Sequence, residues 1–394
     1  MPLMRHWKKW TPCRSDNRKS KRLMRQHRPF FTGVSMKKSV IPVFIPHLGC
    51  PYRCVFCDQH KITGRQSVPT GADVAAKIEA YIRGVKRHWE VAFYGGSFTA
   101  VDVRLQEELL APAYAALASG TIGGLRCSTR PDCITPEILR RLQCYGLTTV
   151  ELGVQSMDDT VLAAAKRGHT AADVETATAL LRDFGFTVGH QLMPGLPGED
   201  WASLAETTAR VCRLKPDMVR IYPVVVIAGT ELADLYGSGD YTPLSVDEGV
   251  RRAAYMKEHF LQQGIGCIRT GLQATEELDG TVAVIGGAYA PAMGDMVDSL
   301  RYGRQIRFLL EALERPCRVM ISYNRRDTSR TRGYKNENVR LVADMGISAA
   351  WQEINEVPLH TILVETAAGK WYLRPDTGER PLVAHCLHCS IMGP

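Results

Sequence analysis

Cys50-Pro-Tyr-Arg-Cys54-Val-Phe-Cys57 sets three thiols within eight residues, at C-x3-C-x2-C spacing. Three thiolates on one short loop can each ligate one iron of a cubic [4Fe–4S] cluster, leaving the fourth iron open to a non-protein ligand. Zinc is the competing reading, with His47 or His60 as the fourth donor. A structural zinc site usually takes its ligands in pairs from two separated turns, whereas here three share one loop. Phe56, directly before the last cysteine, suits a side chain flanking a bound cofactor and equally suits a core position.

The chain has twelve cysteines but no apolar signal-peptide core, so a disulfide framework is not expected. Cys127, Cys133, Cys144, Cys212, Cys267 and Cys317 stand singly and read as small buried hydrophobes. Cys386-Leu-His-Cys389, with His385 and His388, offers metal donors. It lacks a second ligand pair and reads more simply as a frayed tail.

Strand-like apolar runs over 40–46, 91–94, 125–128, 149–154, 187–193 and 218–226 would position the cysteine loop. They alternate with helix-period segments over 72–87, 103–118, 136–145, 158–166, 171–184 and 201–214. Six such units predict an α/β fold, a partial (β/α)6 TIM-like barrel with helices outside. The polar and glycine-rich clusters all follow strands: Gly49-Cys50, Gly95-Gly96-Ser97, Thr129-Arg130-Pro131-Asp132, Gln155-Ser156, 194–198 and Gly229-Thr230. They therefore share the C-terminal rim, where barrel folds place their chemistry. The expected organisation is a core domain over 36–262, a connecting helical region over 263–310, a smaller α+β domain over 311–370 and a tail over 371–394.

In this order the motifs resemble the radical S-adenosylmethionine (SAM) superfamily, and within it the radical SAM domain of the Elongator catalytic subunit and its bacterial relatives. The likeness is carried by Cys50–Cys57, Phe93-Tyr94-Gly95-Gly96-Ser97-Phe98-Thr99, Ser128-Thr129-Arg130-Pro131-Asp132 and Glu151-Leu-Gly-Val-Gln155-Ser156. It continues through Lys166-Arg167-Gly168-His169-Thr170, Met193-Pro-Gly-Leu-Pro-Gly198 and Tyr222-Pro223 with Gly229-Thr230, spanning roughly residues 40–260.

The resemblance implies a [4Fe–4S] cluster on Cys50, Cys54 and Cys57, with SAM chelating the open iron. One electron, supplied by a reductant protein such as flavodoxin or ferredoxin, would then yield a 5′-deoxyadenosyl radical. It further implies SAM contacts from Phe56 (adenine), Gly95, Gly96 and Ser97 (amino group), and Ser128 (ribose, where relatives often carry Glu). Gln155 would face the ribose or methionine, Arg167 the carboxylate, and Gln191 with the 194–198 turn the nucleoside.

Coproporphyrinogen oxidases of the superfamily carry a further cysteine where this chain has Gln59, which weakens a haem-pathway reading. No Arg/Gln-x-x-Gly-x-Gly/Ala acetyl-CoA loop follows residue 260, so acetyl transfer is not expected. Two function classes stand: a radical SAM enzyme acting on RNA or tRNA, and a non-catalytic RNA-binding or cofactor-delivery protein that keeps the barrel as scaffold.

The net charge of +8 is unevenly placed. Residues 1–35 hold ten Lys/Arg against Asp16 and show almost no apolar periodicity, so a disordered basic leader is expected. An upstream mis-start ahead of Met36, an RNA-touching arm and a transit peptide are its three readings. The rest of the chain carries 39 basic and 40 acidic residues, from 49 − 10 and 41 − 1. Within it, residues 301–340 carry eleven Lys/Arg against four acids.

In that segment Gly333-Tyr-Lys-Asn336, ahead of Val339 and Val342, approximates the G-x-x-G loop of a KH module, which clamps nucleic-acid backbone. Asn336 replaces the second glycine. The alternative is an ordinary loop on a solvated basic face. No apolar run reaches the length of a membrane span, and a cytoplasmic protein without membrane partners is expected.

Overall fold

A computed structural model describes residues 39–45, 48–58, 67–83, 87–272, 284–313, 318–377 and, for the backbone alone, 382–386. The basic leader, His47, His60, Cys317 and Cys389 lie outside the described residues.

Seven parallel strands form the main sheet, in the order β1-β2-β3-β4-β5-β6-β8. They are β1 (Ser39–Ile45), β2 (Trp89–Gly95), β3 (Gly124–Thr129), β4 (Leu147–Gln155), β5 (Thr187–Leu192), β6 (Met218–Ile221) and β8 (Gly266–Thr270). The sheet curls into a half-barrel whose edge strands, β1 and β8, do not meet. Helices α1 (Gly71–Ile82), α2 (Val103–Ala118), α3 (Pro136–Cys144), α4 (Asp159–Ala164), α5 (Ala171–Asp183), α6 (Trp201–Leu214), α7 (Glu231–Ser238) and α8 (Val246–Gln262) intervene in the chain. Alternation places the apolar residues outward: Ile41, Val43 and Ile45 of β1 share a core with Val74 and Ile78 of α1. Capping boxes fix the helix starts at Thr70/Asp73, Thr170/Asp173 and Asp200/Ser203.

The strand expected over 218–226 is two strands. Pro223, which lacks an N–H, follows β6, and β7 (Val225–Ile227) pairs antiparallel with β9 (Val284–Gly287) away from the sheet. The seventh strand, β8, lies in the stretch read as a connecting helical region. Its Gly-Cys-Ile-Arg-Thr sequence is half-buried at a sheet edge and carries no apolar run. Of the cysteines expected to be buried, only Cys127 is so among the described residues; Cys133, Cys212 and Cys267 are partly exposed and Cys144 is exposed. Helix ends and an edge strand leave room for water that a core strand such as β3 does not.

A second, five-stranded sheet runs β11-β10-β12-β13-β14, from β10 (Arg318–Tyr323), β11 (Ser348–Glu353), β12 (Ile362–Thr366), β13 (Gly369–Leu373) and β14 (Leu382–Cys386). It thus continues through residues read as tail. Between β10 and its parallel partner β11 lie α10 (Thr328–Arg332), the Gly333–Asn336 loop and α11 (Glu337–Asp344). The long helix α9 (Met293–Ala312) serves both cores: Met293 and Val297 pack in the barrel core, and Tyr302, Ile306, Leu309 and Leu310 in that of the second sheet.

Candidate active site

The cysteine loop leaves β1 and is fastened at once to the loop after β2. Gly96 N donates to Ile45 O and Ser97 N to Leu48 O, each across 2.9 Å. A β-carbon on Gly96 would stand 2.0 Å from Leu48 O, and one on Gly49 would stand 2.3 Å from Ser97 O. These two loops can cross only because both positions are glycine. The crossing brings Cys50 Sγ to 3.4 Å from Ser97 Oγ. Further along, Val55 N donates to Ala165 O (3.3 Å) and Val55 O accepts from Leu232 N (2.8 Å). Val55 and Phe56 are buried beside Val161, Leu196, Val224 and Val226. The three cysteines themselves stay half-buried, and none is in a disulfide.

Arg167, just after α4, enters the site from the other side. Its Nη1 donates to Cys54 Sγ (3.1 Å) and its Nη2 to Gly153 O (2.7 Å). Gly153 makes the space: a β-carbon there would lie 3.0 Å from Gln155 Nε2 and 3.2 Å from Arg167 Nη2. Gln155, at the end of β4, adopts φ 67°, a left-handed backbone uncommon for a residue with a side chain. Two polar atoms here are buried without a partner, Gln155 Oε1 and Arg167 Nε.

Arg130 braces this arrangement. It grips Asp132 through two 2.9 Å hydrogen bonds, donates to Arg167 O, and lays its guanidinium 4.8 Å over the ring of Tyr52, between Cys50 and Cys54. The same ring covers Gly168, where a β-carbon would collide with it at 2.6 Å. Burial, then Arg167 and Arg130, lower His169 to a pKa of about 4, so it is a neutral ring whose Nε2–H donates to Val154 O.

Below the rim the barrel interior is ionic. Glu151 accepts from Tyr94 Oη (2.9 Å), Arg126 Nη1 (3.2 Å), Gln191 Nε2 (3.2 Å) and Arg220 Nε (2.6 Å). Burial alone would raise the pKa of Glu151, but Arg220 and Arg126 outweigh it and hold the carboxyl below its usual range. The bond to Glu151 engages the Gln191 amino group and leaves its Oε1 as an acceptor.

The structure therefore brings together Cys50, Gly96 and Ser97 on one side, and Cys54, Gln155 and Arg167 on the other. Ser128 and Gln191 lie on β3 and β5 near this rim, and Phe56 lies in the apolar cluster behind the cysteines. Sequence reasoning named Arg130 only as a rim residue and gave Tyr52, Gly153 and Glu151 no role. The signal for Arg130 was its place directly after β3. Among the described residues, no three His, Cys, Asp or Glu stand close enough to hold a bare ion. What fits instead is a ligand carrying both acceptors and donors: Arg167 Nε offers a buried donor and Gln155 Oε1 a buried acceptor. A zwitterionic methionine group and ribose hydroxyls match both.

The family model described as Radical SAM superfamily matches residues 44–211. The chain belongs to the radical SAM superfamily. Members of the superfamily bind a [4Fe–4S] cluster and SAM, and the model for the radical SAM C-terminal domain matches residues 216–301. Among curated relatives, the tRNA uridine(34) acetyltransferase of Methanocaldococcus jannaschii is 34% identical over 262 residues, covering 56% of this chain and 48% of that one. An uncharacterised protein of the same organism is 30% identical over 56% of this chain and 71% of its own. Human Elongator complex protein 3 is 35% identical over 33% of this chain and 24% of its own. The radical SAM chain spans about half the length of the acetyltransferases it matches. Among solved structures, Methanocaldococcus infernus Elp3 aligns with a TM-score of 0.55 at 22% identity, over 86% of this chain and 74% of that one, a likeness of fold.

Proposed function

We propose that this chain is a radical SAM enzyme that cleaves SAM reductively at a [4Fe–4S] cluster held by Cys50, Cys54 and Cys57, and that it acts on RNA. The observation that carries the cleavage reading is the pair of buried, partnerless atoms, Gln155 Oε1 and Arg167 Nε, beside the cysteine loop. Leaving such atoms unpaired is costly, and a bound ligand relieves both. Bound together, cluster and SAM would supply a 5′-deoxyadenosyl radical, given one electron from a protein such as flavodoxin or ferredoxin.

The chain's own residues bind and orient. Arg167, its Nη1 and Nη2 held by Cys54 and Gly153, offers its unpaired Nε–H to the SAM carboxylate. Glycines 95 and 96 let backbone approach the amino group, with Ser97 beside them. Ser128, Gln155 and Gln191 meet the ribose and nucleoside, and Phe56 stands behind Cys57 toward the adenine. Val55, Phe56 and Leu196 exclude water from one flank of the loop.

RNA as substrate is supported by the names of the acetyltransferase relatives and by the basic segment 301–340, whose Gly333–Asn336 loop stands between two helices. Anaerobically reconstituted protein, given dithionite and SAM, should release 5′-deoxyadenosine. Stoichiometric iron without any SAM cleavage would favour the scaffold reading over the enzyme.

A further inference from the structure

Every carbonyl from Pro194 to Leu196 accepts a hydrogen bond: Pro194 O from Val224 N (2.9 Å), Gly195 O from Tyr241 Oη (2.6 Å) and Leu196 O from Glu199 N (3.0 Å). The N–H of Gly195 donates to Glu199 Oε1 at 2.6 Å. Two buried side chains thus hold the residue at Gly195 from both of its polar ends. Gly195 itself has φ 99°, and a β-carbon on it would lie 2.7 Å from Leu244, so the turn has little freedom to settle elsewhere. Leu196, the next residue, sits in the apolar cluster with Val55 and Phe56 of the cysteine loop.

We propose that Glu199 and Tyr241 are positioning residues for SAM, fixing the 194–198 turn against the cysteine loop so that the nucleoside is received in one pose. The inference rests on the SAM-binding reading above. Tyr241 belongs to the apolar cluster against which Cys54 and Cys57 pack, and neither residue belongs to the motif set read from the sequence.

The brace is anchored on α8. Glu199 Oε1 also accepts from Arg252 Nη1 (2.9 Å), and Arg252 in turn pairs with Glu248 and lies 5.4 Å over Trp201. The Glu199 side chain is 1% exposed and that of Arg252 9%. A charge-assisted bond in such a place is stronger and more directional than a neutral one. Burial pushes Glu199 up to about 7, against the pull of Gly195 N–H and Arg252, with Asp200 adding to the rise. The groups that face it are therefore Arg252 and Glu248 on α8, Tyr241 after α7, and neighbouring Asp200. Deprotonated Glu199 grips Gly195 and Arg252; once protonated, it accepts more weakly from both.

The test uses full-length, cluster-loaded protein and SAM itself as the probe. Glu199→Gln and Tyr241→Phe keep side-chain volume and should preserve iron content. Each should weaken SAM binding, by about tenfold and about fivefold respectively. The wild-type dissociation constant should carry a component that tightens as pH rises through about 7. Subtracting the Glu199→Gln profile should remove it, which a merely structural role would not produce. If the wild type binds SAM and both variants bind equally well with the same pH profile, the brace has no part in binding. If the loaded wild type binds no SAM at all, it is the SAM reading itself that fails.

Discussion

Arg167 Nη1 lies 3.1 Å from Cys54 Sγ, so the side chain expected to face a carboxylate also touches a proposed cluster ligand. The same guanidinium holds Gly153 O and keeps its Nε unpaired. One residue therefore joins the cysteine loop, strand β4 and the open part of the site.

Replacing it should separate those duties. Arg167→Ala is expected to retain iron, because three thiolates remain, and to weaken SAM binding by roughly ten- to a hundredfold. Calorimetry on the loaded protein checks this. Unchanged affinity would leave Arg167 as a brace for Cys54 alone.

Cys50→Ala, Cys54→Ala and Cys57→Ala should each abolish cluster absorbance and SAM cleavage, since each thiolate holds its own iron. Cys133→Ala is the informative control, because Cys133 follows β3 at the same rim and is partly exposed. It should keep both properties. Wild-type iron in any triplet variant would overturn the ligand assignment.

The second domain has cations of two kinds. Arg330 lies within 4 Å of carboxylate oxygens of Asp298, Asp327 and Asp376, and 5.9 Å over Tyr302. Lys335 and Arg340 are both exposed, with Arg340 Nη1 donating to Lys335 O (2.6 Å). Arg330→Glu should lower Tm, whereas Lys335→Glu with Arg340→Glu should not. If RNA binds here, the double variant should weaken tRNA binding and reduce the salt slope by roughly 0.7–0.9 for each phosphate that is no longer neutralised. Identical slopes across a salt titration would show that this face is merely solvated.

His360 ties the same cluster to pH. Its Nδ1 lies 3.0 Å from Asp376 and 3.6 Å from Asp327, and the bond to Asp376 raises its pKa despite burial. Arg330 Nη1 also lies 2.8 Å from Nδ1, a contact suited to a neutral ring; with two aspartates facing that nitrogen, we take the protonated form to prevail. Burial alone would raise Asp376, but His360 and Arg301 outweigh it and hold it well below the carboxylate range. The His360 contribution is thus fully present below about pH 6.5 and lost as pH rises through its raised folded value. The Asp376 contribution is present above about pH 3.9 and lost as pH falls through its depressed one. His360→Gln should therefore lower Tm at pH 6 and matter less at pH 9. An equal effect at both would mean the ring is held neutral.

Much of the site was legible because its chemistry is local. Cys50, Cys54 and Cys57 share one loop, and Gly95-Gly96-Ser97 and Gln155 each close a strand, so order along the chain places them at one rim. The Arg130–Tyr52–Gly168 stack was hidden because it joins three loops that meet only after the sheet has formed. Strand β8 escaped notice for a different reason. An edge strand with one half-covered face needs no apolar run, so Gly266–Thr270 carries little of the pattern that marks β3 or β4. The Lys/Arg count over 301–340 misled for a related reason: the partners of Arg330, Asp298 and Asp376, lie 32 and 46 residues distant, from 330 − 298 and 376 − 330. Charge counted along the chain cannot reveal that neutralisation.

Helix α9 passes from one hydrophobic core to the other between Val297 and Tyr302, and the match to the radical SAM C-terminal domain stops at residue 301, inside that interval. The seam between the two halves therefore falls within a continuous helix and not in a linker. Shuffling such a protein by recombination would need more than a cut in a loop. A replacement C-terminal half must arrive with its own last turns of α9 in phase, since a slip of one residue turns the helix by about 100° and carries Tyr302 and Ile306 out of their core. The two halves are in this sense inherited together.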